Sequence, residues 1–200
     1  MLKNCLVTVG STKFDDLIQE VLKPDVLAQL KQHGVRNLII QCGAGKIFEE
    51  ISAKNGRETE KKGDGDNEIE RILEKTDKIR WTEDGIEITM IRYVHDLIPL
   101  IQHSNIVIAH GGAGTIFETT KAKKTMFVVI NRSLMSDHQT ELARELAKTK
   151  DLHYVSQPSE LLEALRQQDI VIVPNVPPPS GTQRKEFVQD LFLKCGFIKN

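Results

Sequence analysis

The stretch His110-Gly-Gly-Ala-Gly-Thr-Ile-Phe-Glu118 sets three glycines, a histidine and a carboxylate close together where a β-branched run gives way to a helical pattern. Glycines let backbone amides approach a ligand closely, and a helix start adds unpaired N–H groups with a positive partial charge. The combination suits a diphosphate and needs no cationic side chain. It is not a G-x-x-x-x-G-K-[ST] phosphate loop, because no lysine follows the glycines. Glu118, three residues past Thr115, is in reach of a ligand at the helix start, where a carboxylate can accept from both hydroxyls of a ribose. Thr115-x-x-Glu118 is equally a capping box, which only stabilises the helix start. The same two readings apply to Ser136-Asp137-His138-Gln139, which is either an S-x-x-Q cap ahead of a helix or a place where Asp137 and Gln139 grip sugar hydroxyls.

Around these residues, short β-branched runs alternate with helical patterns, the signature of an α/β fold around a mainly parallel sheet. Strands are expected at Asn4 to Val9, Asn37 to Gln41, Ile86 to Ile91, Ile106 to Ala109, Thr125 to Ile130, His153 to Val155 and Ile170 to Val173. Helices are expected from Phe14 to a break near Pro24, then at Asp25 to Gln32, Asp96 to Gln102, Thr115 to Ala122, Asp137 to Lys148 and Ser159 to Arg166. The run Lys54 to Lys75 is rich in Lys, Glu, Asp and Gly and reads as an exposed charged insertion. A donor-type domain over 1–173 is followed by a Pro-rich connector over 174–182, then by a helical pattern over 183–200. In the latter, Phe187, Val188, Leu191, Phe192 and Cys195 share one face. Ligands of open α/β sheets bind at the carboxyl rim of the strands. The turns at Gly10-Ser11-Thr12, at His110 to Thr115 and ahead of Gln139 are therefore expected at one edge.

The remaining composition narrows the function classes. With 200 residues, 40% hydrophobic, 28% charged and a formal net charge of -1, the chain lacks a long-range attraction for nucleic acid or anionic lipid. Cys5, Cys42 and Cys195 form no metal-ligand spacing and fit a reducing compartment. No apolar run is long enough to span a bilayer and no signal-peptide pattern opens the chain, so a cytosolic protein is expected. The histidines make no H-x-x-x-H pair. Asp64-Gly-Asp66-Asn-Glu68 fails as a calcium loop, since Ile69 and Lys75 stand where glycine and glutamate belong. Ser11 has no G-x-S-x-G elbow around it. Gly43-Ala-Gly45 lacks the third glycine and the acidic ribose partner of a dinucleotide turn.

H-x-G-x-G-T-x-x-E followed by N-x(5)-D-H-Q, here Asn131 to Gln139, resembles the UDP-sugar signature of glycosyltransferases with the two-domain GT-B fold. It is similar to the donor domain of the bacterial enzymes that add N-acetylglucosamine to lipid-linked muramyl-pentapeptide. The opening Thr8-Val9-Gly10-Ser11-Thr12 and the segment Leu134-Met135-x-Asp137-His138-Gln139 further resemble one eukaryotic family. Its members are the small soluble subunits of the two-chain UDP-N-acetylglucosamine transferases of dolichol-linked N-glycan assembly. The fold expected is therefore Rossmann-like, the C-terminal half of a GT-B enzyme.

The resemblance implies that Gly10, Ser11, Thr12 and His110, Gly111, Gly112, Ala113, Gly114 and Thr115 approach the diphosphate. It implies that Glu118 holds the ribose, that Asp137 and Gln139 hold the N-acetylglucosamine, and that Tyr93 and Val94 frame uracil. It also implies transfer with inversion to a GlcNAc-diphosphate-dolichol acceptor without a metal or other cofactor. No convincing catalytic base is evident, so a membrane-anchored partner subunit is expected to supply it at the cytosolic face of the endoplasmic reticulum. The stripe Phe187, Val188, Leu191, Phe192 and Cys195 either docks that partner or packs on this domain. A non-catalytic UDP-sugar-binding or scaffold protein would share the donor loops, and an NAD-type oxidoreductase would prefer NADH to UDP.

Overall fold

Strands covered on both faces read as unbroken apolar runs, and their alternate side chains must serve two different cores. The computed structural model describes residues 3–55, 68–131 and 152–167 and shows that division. The strands are β1 (Lys3–Thr8), β2 (Val35–Gln41), β3 (Lys78–Glu83), β4 (Ile86–Ile91), β5 (Ile106–His110), β6 (Thr125–Val129) and β7 (Leu152–Val155). Cys5 and Val7 of β1 join Leu38 and Ile40 of β2, Ile108 of β5 and Phe127 of β6 in one core. Leu6, Ile39, Val107 and Val128, their neighbours in the chain, belong to the other.

Helices close both faces. The first core is covered by α1 (Asp15–Val21), α2 (Pro24–Gln32), α3 (Ile47–Asn55) and α7 (Leu161–Arg166), the last entered through a 3-10 turn at Pro158–Glu160. The second is covered by α4 (Glu68–Glu74), α5 (Ile98–His103) and α6 (Ala113–Lys121). The break between α1 and α2 has a local cause. Pro24 sits in the first turn of α2, where its missing N–H costs nothing, and Lys23 before it is extended.

The seven-stranded sheet has the order β3-β4-β2-β1-β5-β6-β7. All neighbouring pairs are parallel except β3 with β4. The chain first builds outward from β1 through β2 to β4, then returns to start again at β5 on the other side of β1. The direction of winding therefore reverses between β1 and β5. That is where doubly wound sheets open a ligand crevice.

Several expectations change. The run Lys54 to Lys75 is not wholly an exposed insertion. Its last part is α4, whose Ile69 and Leu73 are buried in the second core. Strand β3 was not anticipated, although its signal is present. Asp84 and Gly85 form a two-residue hairpin loop with φ of 51° and 77°, joining Glu83 to its register partner Ile86. Helix α3 was also unforeseen. The helix Asp137 to Lys148, the strand Ile170 to Val173, the connector 174–182 and the pattern 183–200 lie outside the described residues.

Candidate functional site

The turn after β1 is bent by Gly10, whose φ of 60° places it in the left-handed region. Thr12 closes the turn by donating from both its amide and its hydroxyl to Val9 O, at 3.2 and 2.7 Å. Ser11 is left exposed at the tip. One strand away, β5 ends at His110 and α6 begins with Gly112 as its N-cap. The first helical bond runs from Ile116 N to Gly112 O, so the amides of Ala113, Gly114 and Thr115 have no acceptor within the helix.

The imidazole of His110 lies between the two turns. A Cβ on Gly10 would stand 2.9 Å from its Cε1, and one on Gly112 would stand 2.7 Å from its Nε2. Neither position has room for a side chain while the ring stays. Burial pushes the His110 pKa below its ordinary value, and the backbone of Thr8 offsets this only in part. The ring is therefore neutral at neutral pH, with a buried Nδ1 that has no hydrogen-bond partner of good geometry.

The start of α6 decides one of the two open readings. The helix begins at Ala113, so Thr115 is its third residue rather than the cap, and no side chain caps it. Thr115 and Glu118 are thus not a capping box. Glu118 sits in the second turn rather than the first and is buried, with 7% exposure. Helix capping therefore does not account for Glu118.

Neighbouring loops are tied to this crevice. Gly43, with φ of 61°, packs under the β1 turn, where Ala44 N donates to Thr12 O at 3.1 Å. Asp15 Oδ2 accepts from Lys46 N at 2.9 Å ahead of α3, filling space that a Cβ on Gly45 would occupy. Arg92, past the end of β4, pairs with Glu49 and stacks its guanidinium 5.1 Å from the centre of the Phe48 ring. It also donates to Gly45 O at 3.2 Å. Tyr93 follows on the same rim with 60% exposure, beside the partly buried Val94. Beyond β6, Asn131 Nδ2 donates to Lys13 O at 2.9 Å, which brings the beginning of the Asn131 to Gln139 segment against the β1–α1 loop.

The structure therefore gathers Gly10, Ser11, Thr12, His110, Gly111, Gly112, Ala113, Gly114, Thr115, Tyr93 and Val94 along one rim. Asp137, Gln139, Phe187, Val188, Leu191, Phe192 and Cys195 lie outside the described residues. Gln41, Arg92, Asp15 and Asn131 were missed as supports. Only Asn131 carried a sequence signal, as the first residue of the N-x(5)-D-H-Q pattern. Burial pushes the Cys42 thiol up to about 11 and moves Cys5 the same way, so neither offers a thiolate nucleophile. Among the described residues, no group of three or more His, Cys, Asp or Glu side chains is placed to hold a metal ion. Nor is any helix among them long and apolar enough to cross a membrane.

The glycosyltransferase family 28 C-terminal domain model matches residues 4–171. A relative from Cryptococcus neoformans, named UDP-N-acetylglucosamine transferase subunit ALG13, is 35% identical over 150 residues, covering 72% of each chain. The NMR solution structure of ALG13 superposes with a TM-score of 0.64 at 21% identity, over 93% of this chain and 94% of that one. The crystal structure of Acinetobacter baumannii MurG gives 0.54 at 21% identity, over 84% of this chain and 40% of that one. These likenesses agree with the GT-B-type α/β sheet described above, and the match along most of the sequence settles descent: the chain belongs to the glycosyltransferase family 28 C-terminal domain family, a family of sugar-transferring enzymes.

Proposed function

We propose that this chain binds UDP-N-acetylglucosamine and, as one subunit of a complex, transfers its sugar to GlcNAc-diphosphate-dolichol with inversion. The observation that carries this reading is the crevice at the sheet reversal. There the Gly10–Thr12 turn and the free amides of Ala113 to Thr115 face each other across adjacent strands, with neutral His110 between them. The name of the relative, a UDP-N-acetylglucosamine transferase subunit, supports both the donor and the need for a partner.

In this reading the amides at the start of α6 hold the diphosphate, and their partial charge stabilises it as negative charge develops on departure. A neutral His110 can donate one hydrogen bond there without bringing an imidazolium. Glu118 takes the ribose, Tyr93 and Val94 frame the base, and Asp137 and Gln139 hold the sugar. An acceptor hydroxyl then attacks the anomeric carbon. The new C–O bond forms as the bond to UDP breaks, and the hydroxyl proton passes to a base on the partner. The partner anchors the complex on the cytosolic face of the endoplasmic reticulum, with the stripe Phe187, Val188, Leu191, Phe192 and Cys195 as its docking surface.

Donor and transfer are tested separately. UDP-N-acetylglucosamine should protect the amides of Gly111 to Thr115 from hydrogen exchange, and Glu118→Ala should weaken donor binding more than it lowers the unfolding midpoint. Sugar transfer to a dolichol-linked acceptor should need this chain and its membrane fraction together. Transfer by the chain alone would remove the partner from the proposal, and absence of donor binding would remove the donor.

A further inference from the structure

Gln41 ends β2, between β1 and β4, and its side chain is almost completely buried at 2% exposure. Its carboxamide makes three hydrogen bonds to three different places. Thr8 Oγ1 donates to Oε1 at 2.5 Å, while Nε2 donates to Gly10 O at 2.7 Å and to Arg92 O at 2.8 Å. Two carbonyl oxygens can face only the NH2 end, so the orientation of the amide is dictated by its partners. The Thr8 hydroxyl also accepts from Gly10 N at 3.3 Å, which completes a closed circuit. A parallel strand end has no need of such a side chain, since its ladder bonds are made by backbone. Gln41 instead joins two loops whose strands, β1 and β4, do not touch.

We propose that Gln41 is a positioning residue of the donor site, setting the distance between the phosphate turn at Gly10 and the base-framing segment at Tyr93. The inference rests on the donor-site reading above. Gly10 O lies in the turn proposed for the diphosphate, and Arg92 O lies one residue before the segment proposed for uracil. A ligand that occupies both subsites must match their separation, whereas a ligand that occupies one does not. Gln41 itself touches no ligand. Its effect is exerted through the backbone that it holds.

The consequence separates positioning from general stability. Gln41→Met keeps the volume and removes both donors. UDP, which reaches both subsites, should bind at least about tenfold more weakly, the factor that corresponds to about 1.4 kcal/mol. Uridine, which reaches the base segment and Glu118 but not the phosphate turn at Gly10, should change by less than about twofold. In the free full-length chain, the amides of Gly10 to Thr12 and of Arg92 to Val94 should exchange faster while those of β5 do not. Should Gln41→Met fail to fold, Thr8→Val removes the hydroxyl that donates to Gln41 Oε1 and accepts from Gly10 N, and is expected to act in the same direction. Equal losses for UDP and uridine, or exchange rates raised uniformly, would overturn the inference in favour of a purely structural glutamine. If the unaltered chain binds neither ligand, the donor-site reading fails, and unchanged exchange at Gly10 and Arg92 would then overturn the inference independently.

Discussion

Gly112→Ala perturbs the crevice with little disturbance of the backbone. Gly112 has φ -71° and ψ 121°, a conformation that alanine adopts freely. Replacing glycine at such a position removes freedom from the unfolded chain and stabilises by about 0.4–1 kcal/mol. Against this stands the contact, since the new Cβ would lie 2.7 Å from His110 Nε2. Carbon contacts are comfortable near 3.5–4 Å, so the ring must retreat by roughly 1 Å. Gly10 carries no Cβ to oppose it, so the ring retreats into the space where a Cβ on Gly10 would stand, 2.9 Å from Cε1. Overpacking of this kind costs about 1–3 kcal/mol. The net loss of stability should therefore stay below about 2–3 kcal/mol. The displaced imidazole enters the space between the two glycine turns and should weaken UDP binding by about tenfold or more. Denaturant unfolding and calorimetric titration measure the two effects. The double variant Gly112→Ala/His110→Ala should regain the lost stability, with a coupling of about 0.5–3 kcal/mol. Additive effects, or a Gly112→Ala chain that binds UDP normally, would show that His110 is not held between the turns and refute the reasoning.

Two further outcomes follow from the same geometry. Gly43→Ala places a Cβ against Thr12 O and 2.8 Å from Gly10 O, in a left-handed conformation. It should cost about 3 kcal/mol or more, and an unchanged denaturation midpoint would contradict it. Burial holds His110 below the ordinary value of 6.5 in the folded chain, and His103 moves the same way through burial and the charge of Lys124. Below about pH 6.5 the unfolded chain binds more protons than the folded one, so stability is complete above that pH and lost as pH falls toward the lower folded values. His110→Gln should flatten this acid limb in pH-dependent unfolding, and a limb of unaltered slope would show that the buried ring contributes nothing to it.

How far the sequence could be read depended on whether a signal was local. Buried parallel strands need long apolar runs and each helix needs one apolar face, so most elements of the sheet were visible within a few residues of their final bounds. The glycine turn at Gly10 and the His110 to Glu118 motif were visible for the same reason, because tight turns and helix starts demand particular residue types. Strand β3 was missed despite its Asp84-Gly85 loop, since a charged run before it masked the alternation around Trp81. The burial of α4 was missed because two apolar residues, Ile69 and Leu73, are a weak stripe on their own.

What the sequence by itself determined was the set of elements and the chemistry of the turns between them, because hydrophobic period and backbone freedom act over a few neighbouring residues. Tertiary structure alone decided which of those turns share a crevice. It placed β1 beside β5, moved the helix start from Thr115 to Ala113 and so released Glu118 from capping, and locked His110 between two glycines 102 positions apart in the chain. It also turned Gln41, unremarkable in sequence, into the tie between loops on strands that never meet. Such relations depend on contacts between distant segments, and only the packed sheet brings those segments together.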